Sequence, residues 1–290
     1  MAKPRQGMAM DQLLDRTLAT ASWLAAALIV AALAWILRDL LHQGLPHLDW
    51  RFLTEEPSDS GRAGGIAPVL ISTLLILAVC LGTSVPLALA SGLFLAEFQR
   101  RRGGVAPLVR YSLDTLAGVP SIVFGLFGNA LFCRALGLGY SLLAGGLTLA
   151  CMVLPLLIRT MEQAFRAVPD AHRQAAVALG LPRWLTIRAV ILPVALPGLV
   201  VGLVLAIGRA LAETAALLFT SGYVDRLPAS LLDSGRALSV HIYDLAMNVS
   251  GGAPLAAASA LLLLLLVLLL SGGATVIAER WRREVLDLRS

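Results

Sequence analysis

Arg209 and Glu213 stand four residues apart in an otherwise apolar stretch, AIGRALAETAALLFT, from Ala206 to Thr220. A charged side chain at the centre of a bilayer costs roughly 2.5–3.5 kcal/mol on insertion scales, so two in one such run need a reason. On a continuous helix, Arg209, Glu213, Ala216 and Thr220 share one small or polar stripe, which Gly202 extends. Leu203, Val204, Leu211, Leu217 and Leu218 crowd the other faces. Two chemistries fit this pattern. The ions can neutralise one another within the helix and so help insertion and packing. Alternatively, the Arg209 fork can take a tetrahedral oxyanion while Glu213 keeps the cation paired between events. In that case Arg209, Glu213, Thr214 and Thr220 line a translocation path.

The elements that must carry this stripe are membrane helices. The 290 residues are 58% hydrophobic and only 14% charged, with a mean hydropathy of +0.82, which no ordinary soluble domain shows. Hydropathy predicts an all-α polytopic protein with six spans, near 17–41, 66–96, 109–133, 141–160, 195–220 and 255–278. Gly82 and Pro86 predict a kink or tilt in the second span. The first apolar run is longer than a signal-peptide core and is read as an uncleaved span. The net charge of +5 belongs to membrane topology, not to nucleic acid. Lys3, Arg5, Arg16, Arg100–Arg102, Arg110, the arginines from Arg159 to Arg188 and those from Arg280 to Arg289 lie on one side. Against those sixteen, Arg38, Arg51, Arg62, Arg134, Arg226 and Arg236 lie on the other. The positive-inside rule then places both termini in the cytoplasm, with residues 1–16 and 281–290 flanking a six-span membrane domain over 17–280.

Outside the membrane, residues 42–65 read as a polar outer loop. Residues 221–254 read as a longer one with a short helix near 227–246, suited to a docking partner. Cys80, Cys133 and Cys151 sit in or beside apolar segments and read as buried thiols, with no disulfide framework or metal site. His42, His47, His172 and His241 are scattered in predicted loops, so no enzyme constellation forms. There is no G-x-x-x-x-G-K-[ST] motif, and this chain is not expected to hydrolyse ATP. A secondary transporter, the competing class, would show an inverted repeat or paired broken helices, and no convincing repeat is present.

Between the fourth and fifth predicted spans, VPDAHRQAAVALGLPRWLTIRAVILP reads as a short helix. Asp170 is placed to cap it, Gly180 to end it and Pro182 to stop its continuation. Ala171, Ala175, Ala178 and Leu179 give it a small apolar face. Such a face suits another protein's cleft, or equally the bilayer surface. The stretch resembles the cytoplasmic loop of ABC-importer permeases, whose pattern is E-A-A, three residues, G, nine residues, I-x-L-P. Ala175, Ala176, Gly180, Val190, Leu192 and Pro193 fall in register, and Gln174 replaces the usual Glu. The resemblance implies a coupling loop over about 165–193 in which Gln174, Ala175, Ala176, Gly180, Leu192 and Pro193 serve a cytoplasmic ATPase.

LAGVPSIVFGLFG, GLFLAEF, IGRALAETAALLFT and LSVHIYDLA narrow the resemblance to PstA-type permease subunits of phosphate-specific ABC importers, over about residues 64–280. Ala212 and Ala216 stand where that family usually has Gly and Pro. In the first of these stretches Gly118, Pro120, Ser121 and Gly125 (with Gly128) read foremost as close-packing positions, with path lining as the alternative, and Pro120 is also a place for the span to break or kink. The resemblance implies the type I ABC importer permease fold and ATP-driven import of inorganic phosphate through the cytoplasmic membrane. Sulfate, molybdate and tungstate are the alternative cargoes. It further implies a related second permease subunit, or a second copy of this chain, two ATPase subunits holding ATP and Mg, and an extracytoplasmic substrate-binding protein. No cofactor is expected on this chain itself.

Overall fold

The computed structural model describes residues 5–98 and 105–287. Lys3, Arg100, Arg101, Arg102 and Arg289 of the charge pattern lie outside them. Among the described residues, five helices are long and apolar enough to cross a membrane, or six if one bent pair counts as a span. The first helix, α1 (Arg5–Gly44), has its most apolar window entirely uncovered by the rest of the protein. It meets the last helix at Gly44, where a Cβ would lie 2.8 Å from the backbone of Ala257.

The predicted polar loop that follows is ordered. It holds α2 (Trp50–Thr54), whose first turn is capped by the Asp49 carboxylate accepting from Phe52 N at 2.8 Å. A two-residue hairpin then pairs β1 (Pro57–Ser58) with β2 (Ala63–Gly64). The second span is α3 (Ala67–Leu93), which runs through Gly82 and Pro86 and ends in a π-helical turn, Phe94–Phe98.

The predicted third span, 109–133, is not one straight helix. It is α4 (Ala106–Ala117) and then α5 (Ser121–Gly128), continued as a π-helical segment to Ala135, and the two arms meet at 97°. The cause is local. Val119 precedes a proline and is disfavoured in the α region, and Pro120 itself takes φ −58°, ψ 141°. Gly118 lies at this corner with nothing closer to its absent Cβ than its own helix's Thr115 O at 3.5 Å, so it is not a packing position. Gly125 and Gly128 are. A Cβ would fall 2.9 Å from Ala216 Cα at the first and 2.1 Å from Thr148 Oγ1 at the second.

Next, α6 (Leu142–Arg166) is the buried centre of the bundle and packs against α3. Gly92 against Met161 and Gly146 against Val79 permit the close approach. Its first amides are all partnered: Ser141, Leu142 and Leu143 N–H donate to the carbonyls of Thr220, Asp233 and Leu231, and Ala144 N donates to Ser141 Oγ. After it come α7 (Asp170–Ala178) and α8 (Arg183–Thr186), then a π-helical turn (Ile187–Ile191) and α9 (Leu192–Leu211). The fifth span therefore starts at Arg183, not at 195, and Pro193 lies inside one helical run. The chain closes with α10 (Ala215–Leu218), α11 (Leu238–Met247) and α12 (Ala253–Asp287). Cys80 and Cys133 are buried and Cys151 half-buried, as expected of core thiols.

The expected outer helix forms further along than 227–246, as α11, and it is part of a polar cap. Arg236 reaches Asp244 at 3.2 Å, Asp225 at 3.9 Å and the Tyr223 carbonyl at 3.0 Å. His241, placed by sequence in a loop, is fully buried on α11, its Nδ1 3.5 Å from Arg236 Nη1. Burial first, and the Arg236 charge second, push its imidazole down to about 4, with Asp225 and Asp244 opposing. An imidazole that stays neutral when folded but protonates near 6.5 when unfolded loses stability as pH falls through that interval. The expected slope is at most about 1.4 kcal/mol per pH unit. Thermal unfolding between pH 6.5 and 4 should show this decline, and His241→Gln should flatten it; an equally steep decline in the variant would remove His241 as the cause.

Candidate functional site

The predicted polar stripe does not lie on one helix. α9 ends at Leu211, Ala212 to Thr214 form a break, and α10 adds a single turn before the chain leaves the helical path. The i, i+4 geometry is lost, and no ion pair joins Arg209 to Glu213 among the described residues. Instead the Glu213 carboxylate accepts from Ala216 N at 3.4 Å and so holds the start of α10. In this structure the two charges are not paired with each other.

Non-helical backbone at membrane depth survives only where protein or a wet cavity satisfies it. Here neighbouring elements supply the partners. Ser239 Oγ on α11 donates to Glu213 O at 2.6 Å, and Asn129 Nδ2 donates to Phe219 O at 2.7 Å. The Thr220 carbonyl accepts from Ser141 N at 3.1 Å, and Ser221 O accepts from Gly235 N at 3.0 Å. Ser239 and Asn129 were not singled out from sequence, although Ser239 lies in the LSVHIYDLA stretch.

Arg209 lies exposed in the last turn of α9, and Ala212 is exposed beside the break. Glu213 and Thr214 are half-buried. A cation suits that end of a helix, where the carbonyl dipoles point. Thr220 is a different case. It is completely buried and its hydroxyl donates to Ala216 O at 2.8 Å, so it belongs to the packed joint and not to a path lining. Pro120 is exposed at the α4–α5 corner, Ser121 is half-buried, and Gly125 seats α5 against α10. A cavity of about 160 Å³ between α9 and α12 is lined by Leu196, Pro197, Val200, Val201, Thr275, Ala278 and Glu279, and not by Arg209.

The loop singled out for coupling folds largely as its residues require. α7 spans Asp170–Ala178, Leu181 N donates to Ala176 O at 3.0 Å, and Gly180 takes φ +66°. These are the features of a helix closed by a left-handed residue. Asp170 is the first helical residue and not its cap, a place Pro169 takes with no side-chain bond. Gln174, Ala175, Ala171, Ala178, Val177 and Leu179 are exposed, as is Trp184 after the turn, while Ala176 is buried against the chain's own bundle. Leu192 and Pro193 are half-buried in the first turn of α9.

Behind this loop lies an arginine-rich joint. Glu162 on α6, 1% exposed, takes Arg110 at 2.7 Å, Arg166 at 2.9 Å and Arg159 at 3.4 Å. Arg159 also grips Asp114 on α4 at 2.9 Å, and Arg166 donates to Leu95 O at 3.3 Å. A carboxylate this deeply buried is tolerable only with such partners.

Residues 88–283 match the family model described as binding-protein-dependent transport system inner membrane component. The chain is 33% identical over 244 residues to YqgI of Bacillus subtilis (strain 168), described as a probable ABC transporter permease protein, covering 80% of this chain and 82% of that protein. It is 31% identical over 237 residues to the phosphate transport system permease protein PstA 2 of Mycobacterium bovis (strain ATCC BAA-935 / AF2122/97), covering 80% and 76%. A bacterial ABC transporter involved in the import of the acidic polysaccharide alginate shares the fold, with TM-score 0.60 at 15% identity over 90% of this chain and 96% of that one.

Proposed function

Since the chain belongs to the family of binding-protein-dependent transport system inner membrane components, and is thereby a multi-pass ABC importer permease subunit, we propose that its cargo is an oxyanion, inorganic phosphate first. The observation that carries this reading is Arg209. It is a guanidinium without an ion-pair partner among the described residues, presented at the open end of a broken span beside half-buried Glu213. An uncommitted Arg fork offers a tetrahedral anion paired N–H donors. A neighbouring carboxylate weakens the grip, so that the ion can leave. Thr214 adds a hydroxyl at the same break.

One exposed Arg on one chain is half of a passage. A second permease subunit, related or identical, would cover this surface and enclose the path. The exposed face of α7, with Val177 and Leu179 about three-quarters exposed, would seat in a separate ATPase that carries the ATP and Mg. A binding protein would deliver the anion to the cap built from α11 and the Arg236 cluster. With the 221–254 segment outermost, both termini are cytoplasmic.

A second reading, another oxyanion, is favoured by Ala212 and Ala216. Ala212 opens the break and Ala216 lies in α10 just after it, where PstA-type sequences usually carry Gly and Pro, and Ala216 Cα sits 2.9 Å from where a Gly125 Cβ would be. The deciding experiment is co-purification of the whole complex with its binding protein. ATP hydrolysis is then measured with phosphate, sulfate, molybdate and tungstate. Phosphate is expected to stimulate at the lowest concentration; stimulation confined to another of the four would reassign the cargo.

A further inference from the structure

The short π-helical turn at the end of the second span, Phe94–Phe98, presents Glu97 to the coupling helix. There the Arg173 guanidinium closes on the carboxylate, with Nη2 at 2.6 Å and Nε at 3.2 Å from Oε1. Its other contacts are Nη2 to Phe165 O at 2.8 Å in the last turn of α6, Nη1 to Val168 O in the loop just beyond it, and Nη1 to Asp170 Oδ1 at 3.5 Å. Both partners are mostly withdrawn from solvent, at 15% and 14% side-chain exposure, so the pair is screened far less than a surface bridge. Phe165 O, which also accepts from Val168 N at 3.4 Å, lies at the helix end where a cation is favoured. Two residues away along the same turn, Leu95 O takes Arg166, itself held by Glu162. One side chain of the coupling helix thus ties three elements: α7, the end of the second span and the end of α6. π-Turns inside helices recur at functional positions because the inserted residue re-aims its neighbours.

We propose that the Glu97–Arg173 pair is the joint that makes the coupling helix move as one body with the second and fourth spans, so that both are positioning residues for coupled transport. The proposal rests on the reading of α7 as the ATPase-facing helix. Without the pair, α7 can still dock, but its displacement is taken up by the loop at residues 167–169 and is not passed to the spans.

The test uses the complete complex in proteoliposomes. It measures radiolabelled phosphate taken up per ATP hydrolysed, or the one of the other three oxyanions that stimulates hydrolysis. Glu97→Gln and Arg173→Gln are each expected to lower that ratio about tenfold, while the ATPase co-purifies at wild-type stoichiometry. The double variant should lose no more than the worse single one, because the two residues act as a unit. Wild-type ratios in the single variants, losses that multiply in the double, or loss of the ATPase from the complex would each overturn the joint. If the Gln variants fail to fold and insert, so that no permease is recovered, Arg173→Lys, which keeps the charge but not the fork, should give an intermediate ratio, and a wild-type ratio would overturn the joint. Gly180→Leu, run in parallel, separates two failures. If it uncouples while the joint variants do not, only the joint is wrong; if it too leaves the ratio untouched, the coupling role of α7 falls.

Discussion

Replacing Arg209 by glutamate is expected to abolish uptake, by about 100-fold or more, while the complex still assembles. A charge-assisted contact to an anion is worth roughly 1.5–3 kcal/mol, which is about 10–100-fold, and reversal adds repulsion from Glu213. Assembly should survive because Arg209 makes no ion pair within the chain that the variant would break, and its side chain is exposed. Arg209→Lys keeps the charge but loses the two-pronged geometry, so it should fall between the two. Glu213 behaves differently. Glu213→Gln retains an acceptor for Ala216 N and should transport, whereas Glu213→Ala frees the start of α10. Labelled-anion uptake into vesicles, with ATPase co-purification as the control, reads all four. Wild-type uptake by Arg209→Glu would end the proposed role.

The second large effect is at Gly180. Its φ of +66° is costly for a residue with a Cβ, about 1–2 kcal/mol, yet nothing stands within 4 Å of where that Cβ would be. Gly180→Leu is therefore strained through the backbone alone. It should shift the exit from α7 towards α8, leaving ATP hydrolysis without matching transport. Asn tolerates the left-handed region, so Gly180→Asn should remain close to wild type. If Asn uncouples as strongly as Leu, the effect is a side chain blocking the partner's cleft and the backbone account fails. Transport per ATP in the reconstituted complex distinguishes them.

How far the sequence reveals these sites depends on what kind of signal each leaves. α7 and its glycine are legible because a local motif makes them: helix formers, then Gly, then Pro. The spans are legible by hydropathy, which fixes existence better than ends. The helix from Arg183 hides its start because Pro193 reads as a boundary, although it falls in the first turn of α9, just after a π-helical turn, where a missing N–H is tolerated. The break after Leu211 leaves almost no local trace. Ala212 and Ala216 favour a continuous helix. Distant donors decide otherwise: Ser239, Asn129 and the amide of Ser141 claim carbonyls that an unbroken helix would keep for itself. The Gly and Pro usual in PstA-type sequences would mark this break, and here tertiary contacts hold it without them. The Glu97–Arg173 joint is invisible for the same reason, since its partners are 76 residues apart.

The solitary standing of α1 bears on how the protein is made. None of its apolar window is buried by the later helices, and it rests on α12 alongside the close approach at Gly44. During synthesis it can therefore pass into lipid as soon as it emerges, needing nothing that follows. α3 has no such freedom, because its Val79 and Gly92 fit against Gly146 and Met161, which are translated only later. The first helix is an early mooring for the nascent chain, while the transport core waits for α6 before it can close.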